Sequence, residues 1–297
     1  MVKFISVFVL VIILALVAGL LYVWFFVLKP VDRSVVKLSR TSIEVDGTVR
    51  KYRVFNARED GPSQPLLVLL HGFKDRSEWI SAYSGFNILA QEKGFALLLP
   101  EGLKMSWNGG FCCGYSFQNN VDDVGFILKV VEDAKQKYKI DNSKVYVAGF
   151  SNGGLLAQKL LVESPDIFRA GASLMSGVGA DGGVLDISDA RAPIMLVQGD
   201  MDKYIRINKS DTPIDGFNFI SAEETLLAWQ EHYKAELVGE KETDMYKEKT
   251  YANNDEVKVL FRMYFGQEHS WPERRVWDFD YRVPEVTRDI WNFWINS

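Results

Sequence analysis

The chain has 297 residues, 47% of them apolar, and its 34 basic and 39 acidic side chains leave a formal charge of −5. That mildly acidic balance, without basic blocks, argues against nucleic acid as a partner. No segment repeats at a fixed period or falls into low complexity, so the chain beyond its N-terminus reads as globular throughout.

In chain order, the first feature is an uncharged run from Phe4 to Leu28, built of Leu, Val, Ile and Phe with a few small or aromatic interruptions. At 1.5 Å per residue, a helix of that length crosses a hydrocarbon core of about 30 Å. A cleaved signal peptide is the competing reading. Against it, the apolar run continues past Ala18-Gly19, and Leu16 suits the upstream cleavage position poorly. Tyr22, Trp24 and Phe25 match interfacial aromatics. Residues 1–29 are therefore expected to form a membrane anchor (one transmembrane helix), 30–41 a linker, and 42–297 a single catalytic domain. Lys3 flanks one end of the run and Lys29, Arg33, Lys37 and Arg40 the other, so charge alone leaves the orientation open.

Beyond the linker, Ser42 to Asn56 alternates apolar and polar residues around Asp46-Gly47, a hairpin signal. The continuous apolar runs Leu66–Leu70, Phe95–Leu99, Val145–Ala148, Ala170–Met175 and Pro193–Val197 predict buried strands, with Val257–Phe265 as the last. Helical spacing appears over Trp79–Lys93, from an Asn119 or Asn120 cap to Tyr138, over Leu155–Leu161, Ala222–Lys234 and Pro284–Ile295. Asp122 and Asp123 fall in the first turn of their helix, where charge–dipole stabilisation accounts for them better than acid–base work. Glu236 to Glu256 is highly charged and is expected to be a surface excursion. Strands alternating with helices predict an α/β class, a mostly parallel sheet with helices on both faces. Sites in such sheets form at the carboxyl ends of the strands.

The chemistry concentrates at Gly149-Phe150-Ser151-Asn152-Gly153, which follows a predicted strand and precedes a helix. This is the context of a nucleophile elbow, in which a tight turn lifts a serine hydroxyl clear of the sheet. A serine needs a base. Of the three histidines, His232 lies within a predicted helix, and His71 lies where oxyanion-hole backbone is expected. His269 follows the last strand, where the third member of a Ser…Asp…His order belongs. The acid should end the strand before it, and Asp200 and Asp202 both follow Gly199 there. Pattern alone favours Asp202 slightly, the other carboxylate being expected to cap its own turn. Backbone N–H groups of Asn152 and Phe73 are the natural oxyanion donors.

Several segments together resemble the polyhydroxybutyrate depolymerase/feruloyl esterase group of α/β-hydrolases. They are Leu70-His71-Gly72, Pro100-Glu101-Gly102, Trp107-Asn108-Gly109 with Cys112-Cys113-Gly114, Val121–Phe126, Gly149–Gly154 and His269-Ser270-Trp271-Pro272. The similarity runs from about Leu66 to the C-terminus. It implies an α/β-hydrolase fold and a secreted or extracytoplasmic serine esterase with no metal or organic cofactor. It also implies Ser151, Asp202 and His269 as the triad and Trp271 as an aromatic lining the acyl or aryl subsite, core packing being the competing account of Trp271.

The chain departs from the group at Gln198, where histidine is usual, and at Asp200, where threonine is usual. The additional cysteines often present in its C-terminal half are missing. Cys112 and Cys113 form either a vicinal disulfide or two reduced thiols; zinc binding by adjacent thiols without a nearby histidine is not expected. The expected activity is hydrolysis of short aliphatic, hydroxyalkanoate or feruloyl-type esters, of small or oligomeric substrates, by an acyl-enzyme route. An acyltransferase, a peptidase or a non-catalytic anchored binding module on the same scaffold are the alternatives.

Overall fold

The computed structural model describes residues 39–45, 47–178, 185–208, 213–214, 217–273 and 282–297. The expected anchor and most of its linker lie outside the described residues; among those described, no helix is long and apolar enough to cross a membrane. Residues from Leu38 onward form one compact unit.

The hairpin signal becomes β1 (Ser39–Val45) and β2 (Thr48–Phe55), paired antiparallel. The apolar runs become β3 (Gln64–Leu70), β4 (Ala96–Pro100), β5 (Ile140–Phe150), β6 (Ala170–Leu174) and β7 (Ile194–Gly199). A short pair, β8 (Pro213–Ile214) and β9 (Phe217–Asn218), stands apart from the main sheet. After it come β10 (Glu236–Glu242), β11 (Tyr246–Asn253) and β12 (Glu256–Tyr264). The ten-stranded sheet has the order β1-β2-β4-β3-β5-β6-β7-β12-β11-β10. Its six central strands, β4 to β12, run parallel, with antiparallel pairs at both edges.

Alternation along β3 explains why an uninterrupted apolar run is needed. Leu66, Val68 and Leu70 pack into one core and Leu67 and Leu69 into another, because successive side chains leave opposite faces of a strand. Helices α1 (Ser77–Ser84), α2 (Phe86–Lys93) and α7 (Glu285–Ile295) cover one face through Ile80, Phe86 and Trp291. Helices α4 (Asp123–Lys137), α5 (Asn152–Glu163) and α6 (Ala222–Tyr233) cover the other through Phe126, Leu156 and Trp229. Among the described residues, α3 (Gly114–Gln118) is a further, single-turn helix near the site.

Three expectations change. The single helix over 79–93 is two, broken at Gly85, whose φ of 72° belongs to the left-handed region that favours glycine. The charged stretch 236–256 forms strands that extend the sheet; β10 is exposed along nearly its whole length, and Lys249–Glu240 and Lys247–Glu242 pair across the hairpin. A solvated edge strand tolerates charge on both faces, which is why its periodicity was hidden. Finally, the α4 cap is Asp122, whose carboxylate accepts the Gly125 N–H at 2.8 Å.

Asp123 does more than sit in a favourable turn. It is buried, meets Arg50 at 2.6 Å, and accepts the Asn108 N–H at 2.7 Å, tying β2, α4 and the 101–110 loop together. Arg50 also lies 3.9 Å over the Phe126 ring. Removing one partner of a buried pair strands the other charge, so Arg50→Met is expected to lower the unfolding free energy by about 3–5 kcal/mol, checked as a fall in the urea midpoint.

Candidate active site

Ser151 closes β5 with φ 53° and ψ −119°, a conformation that costs a non-glycine residue on the order of 1–3 kcal/mol. The turn is held by Ser151 N–H donating to Leu174 O at 2.9 Å and by Gly154 N–H donating to Ser151 O at 2.8 Å. Both flanking glycines are demanded by close approach. A Cβ on Gly149 would fall 2.0 Å from Gly153 O, and one on Gly153 would fall 2.4 Å from Leu70 O. The helix α5 therefore starts almost against the ends of β3 and β5, with the serine at its N-terminus.

His269 reaches this point from the loop after β12. Its Nε2 lies 2.9 Å from Ser151 Oγ and its Nδ1 2.7 Å from Asp202 Oδ2. Of the two candidate carboxylates, Asp202 is the one in contact with the ring; Asp200 is exposed. The capping expected of the other carboxylate is done by Asp202 as well, since its Oδ1 accepts the Tyr204 and Ile205 N–H groups at 2.8 and 3.0 Å. One buried side chain serves both ends of the turn. The loops are tied directly: Met201 N–H donates to Gln267 O at 3.1 Å.

The Phe73 turn lies beside the elbow. Lys74 N–H donates to Met105 O at 2.9 Å, and Tyr83 donates to Asp75 Oδ2 at 2.7 Å. Among the described residues, no backbone acceptor engages the N–H of Phe73 or Asn152. The Asn152 side chain acts as a clamp. Its Oδ1 accepts the Trp107 N–H at 2.7 Å, and its Nδ2 donates to Trp107 O and Cys112 O at 3.0 and 2.7 Å. Cys112 and Cys113 are joined in a disulfide, the first of the two alternatives left open by the sequence.

Trp271 fits the core-packing account, the second of the two left open by the sequence. It is 2% exposed, its indole N–H donates to Thr287 Oγ1 at 3.1 Å, and its ring packs on Tyr83, Phe86 and Phe150. An aromatic that lines a subsite must offer a free face; this one supports the site from beneath. The aromatic that flanks His269 on the solvent side is Tyr204, 51% exposed with its ring 4.9 Å from the imidazole, while Phe150 lies 5.2 Å from it. Tyr204 was not singled out from the sequence, although its place two residues after Asp202 was the available signal.

The other two histidines are occupied elsewhere. His232 Nε2 donates to Ala190 O at 2.8 Å. His71 is buried, and its Nε2 accepts the Gly102 N–H at 3.0 Å, which leaves the proton on Nδ1 to donate to Gly72 O at 2.8 Å. Its carbonyl accepts the Trp107 indole N–H at 2.9 Å. A cavity of about 530 Å³ lies at the opposite end of the sheet near Ser143, Arg169 and Lys258 and holds none of the site residues.

A profile of the family described as esterase PHB depolymerase matches residues 58–210, just over half of the chain and including the elbow and Asp202. The chain belongs to this family. A stretch of 186 residues is 30% identical to a putative esterase, NocK, of Nocardia uniformis subsp. tsuyamanensis, covering 58% of this chain and 52% of that protein. Another of 117 residues is 32% identical to feruloyl esterase B of Thermothelomyces thermophilus, covering 38% of this chain and 39% of that protein. The chain thus matches about half of the first relative's length and less of the second's. Among solved structures, an acetyl xylan esterase from Aspergillus awamori superposes with a TM-score of 0.63 at 13% identity, over 86% of this chain and 98% of the other. That likeness establishes the α/β-hydrolase-like fold.

Burial holds the His71 imidazole below the ordinary histidine range. Below about pH 6.5 the unfolded chain takes up a proton that the folded chain refuses. The contribution of His71 to stability is therefore intact above that pH and lost as the pH falls through it. The thermal midpoint is expected to drop more steeply from about pH 7.5 to about pH 5.5 in the parent than in His71→Gln, as measured by melts across the range.

Proposed function

We propose that the chain is a serine carboxylic-ester hydrolase working through an acyl-enzyme. The observation that carries this reading is the hydrogen-bonded line from Ser151 Oγ through the His269 ring to Asp202 Oδ2, with contacts of 2.9 and 2.7 Å. Ser151 Oγ attacks the ester carbonyl carbon while His269 Nε2 takes its proton. Phe73 and Asn152 N–H groups receive the oxyanion. Collapse of the tetrahedral intermediate expels the alcohol, which leaves with the proton from His269. Water then gives a proton to the same nitrogen and attacks the acyl carbon; the second tetrahedral intermediate collapses, His269 returns that proton to Ser151 Oγ, and the carboxylic acid leaves. Asp202 orients the ring.

Short aliphatic, hydroxyalkanoate and feruloyl-type esters are the substrates this reading favours, in line with family membership and with relatives named as esterases. Hydrolysis of p-nitrophenyl esters of increasing acyl length, beside a feruloyl ester, ranks them. Ser151→Ala is expected to lower kcat on the order of 10⁶-fold; unchanged turnover in that variant would remove the assignment.

We also read residues 1–29 as a single-pass anchor that holds the catalytic domain outside the cytoplasm. The support is the uncharged run Phe4–Leu28 with its aromatic end. The Cys112–Cys113 disulfide fits an oxidising compartment. The chain is expected to stay in the membrane pellet after an alkaline carbonate wash. Release into the supernatant would point instead to secretion after cleavage.

A further inference from the structure

The carboxamide of Gln198 bridges Asp202 and the turn that follows it. The residue lies in β7, one position before its last residue, and is 2% exposed. Its carboxamide nitrogen has two protons and two acceptors: Asp202 Oδ2 at 2.9 Å and Ile205 O at 2.8 Å. Asp202 Oδ2 is also the oxygen that meets His269 Nδ1. The opposite oxygen takes the two backbone donors of the following turn. Each carboxylate oxygen is thus held by two donors, and Gln198 is the one side-chain donor besides His269.

The two bonds of Gln198 do different things. The bond to Asp202 fixes the carboxylate plane at the end facing His269, where a small rotation would misalign the ring. The bond to Ile205 O fixes the 203–206 turn, which carries Tyr204 against the outer face of that ring. A neutral imidazole at position 198 has a single N–H and could make only one of these bonds. Resting on the serine-hydrolase reading above, the geometry points to Gln198 as a positioning residue for the reaction. It holds the acid and the Tyr204 turn in register with His269 and touches neither substrate nor the reacting atoms.

The test compares the full-length parent with Gln198→Leu, Gln198→Glu, Gln198→His and Ser151→Ala on a soluble p-nitrophenyl ester. Turnover of the parent and the Gln198 variants is expressed per site labelled at end-point by a fluorophosphonate, so that any fraction that fails to fold is excluded, and that of Ser151→Ala per mole of chain. Hydrogen bonds to charged groups are worth enough that Gln198→Leu and Gln198→Glu are expected to lower kcat about 10- to 100-fold. KM is expected to stay within about threefold, because ground-state binding does not use the acid. Gln198→His, which returns one donor to Asp202, is expected to recover kcat to within about tenfold of the parent. Parent-like kcat per labelled site in both the leucine and glutamate variants would overturn the proposal, as would a loss confined to the number of labelled sites, which would leave Gln198 a folding role only. A Ser151→Ala chain that still turns over would instead defeat the serine reading, whatever the Gln198 variants do.

Discussion

Asp202 keeps a carboxylate in the interior, its side chain at 0% exposure, and four donors offset the cost of taking it out of water. Two come from the backbone of the turn it caps, one from Gln198 and one from His269. Much follows from that arrangement. The turn after β7 has one shape, so Tyr204 lies against the imidazole, and the imidazole has one orientation, with Nε2 directed at Ser151. The sheet supplies the rest of the geometry. β5, β6, β7 and β12 stand side by side and parallel, so the loops that leave their carboxyl ends converge on one rim.

The elbow is braced from the other side by a second set of buried polar groups. Asn152 spends its side chain on the loop at Trp107 and Cys112. His71 joins the Gly102 N–H to the end of β3, and Trp107 reaches back to the His71 carbonyl. Arg50 and Asp123 anchor that same loop from below. These buried polar contacts share acceptors and donors across the segments 71–76, 101–113 and 149–153. A strained serine backbone can persist only where its surroundings over-determine it, and this network provides that surrounding.

The strands, most helices and the candidate residues Ser151, His269 and Asp202 could be read from local pattern, because burial on both faces writes an unbroken apolar run and an elbow needs glycine on each side of serine. Other features could not. The β10–β11 hairpin carries charge on both faces and hid its strands, and the Gly85 break left helical spacing intact on either side. Trp271 lies two residues after His269 in sequence yet points into the core, since the loop direction there is set by packing on Phe86 and Thr287.

By itself, then, the sequence determined the α/β alternation, the order of serine, aspartate and histidine, and family resemblance through short motifs, all of which depend on residue type and local spacing. Tertiary structure alone decided that the two cysteines are joined, that Trp271 packs in the core, and that Gln198 and Tyr204 contact Asp202 and His269. These are questions of which side chains from distant segments share a few ångströms. One-dimensional spacing does not encode that, whereas strand order and loop direction do.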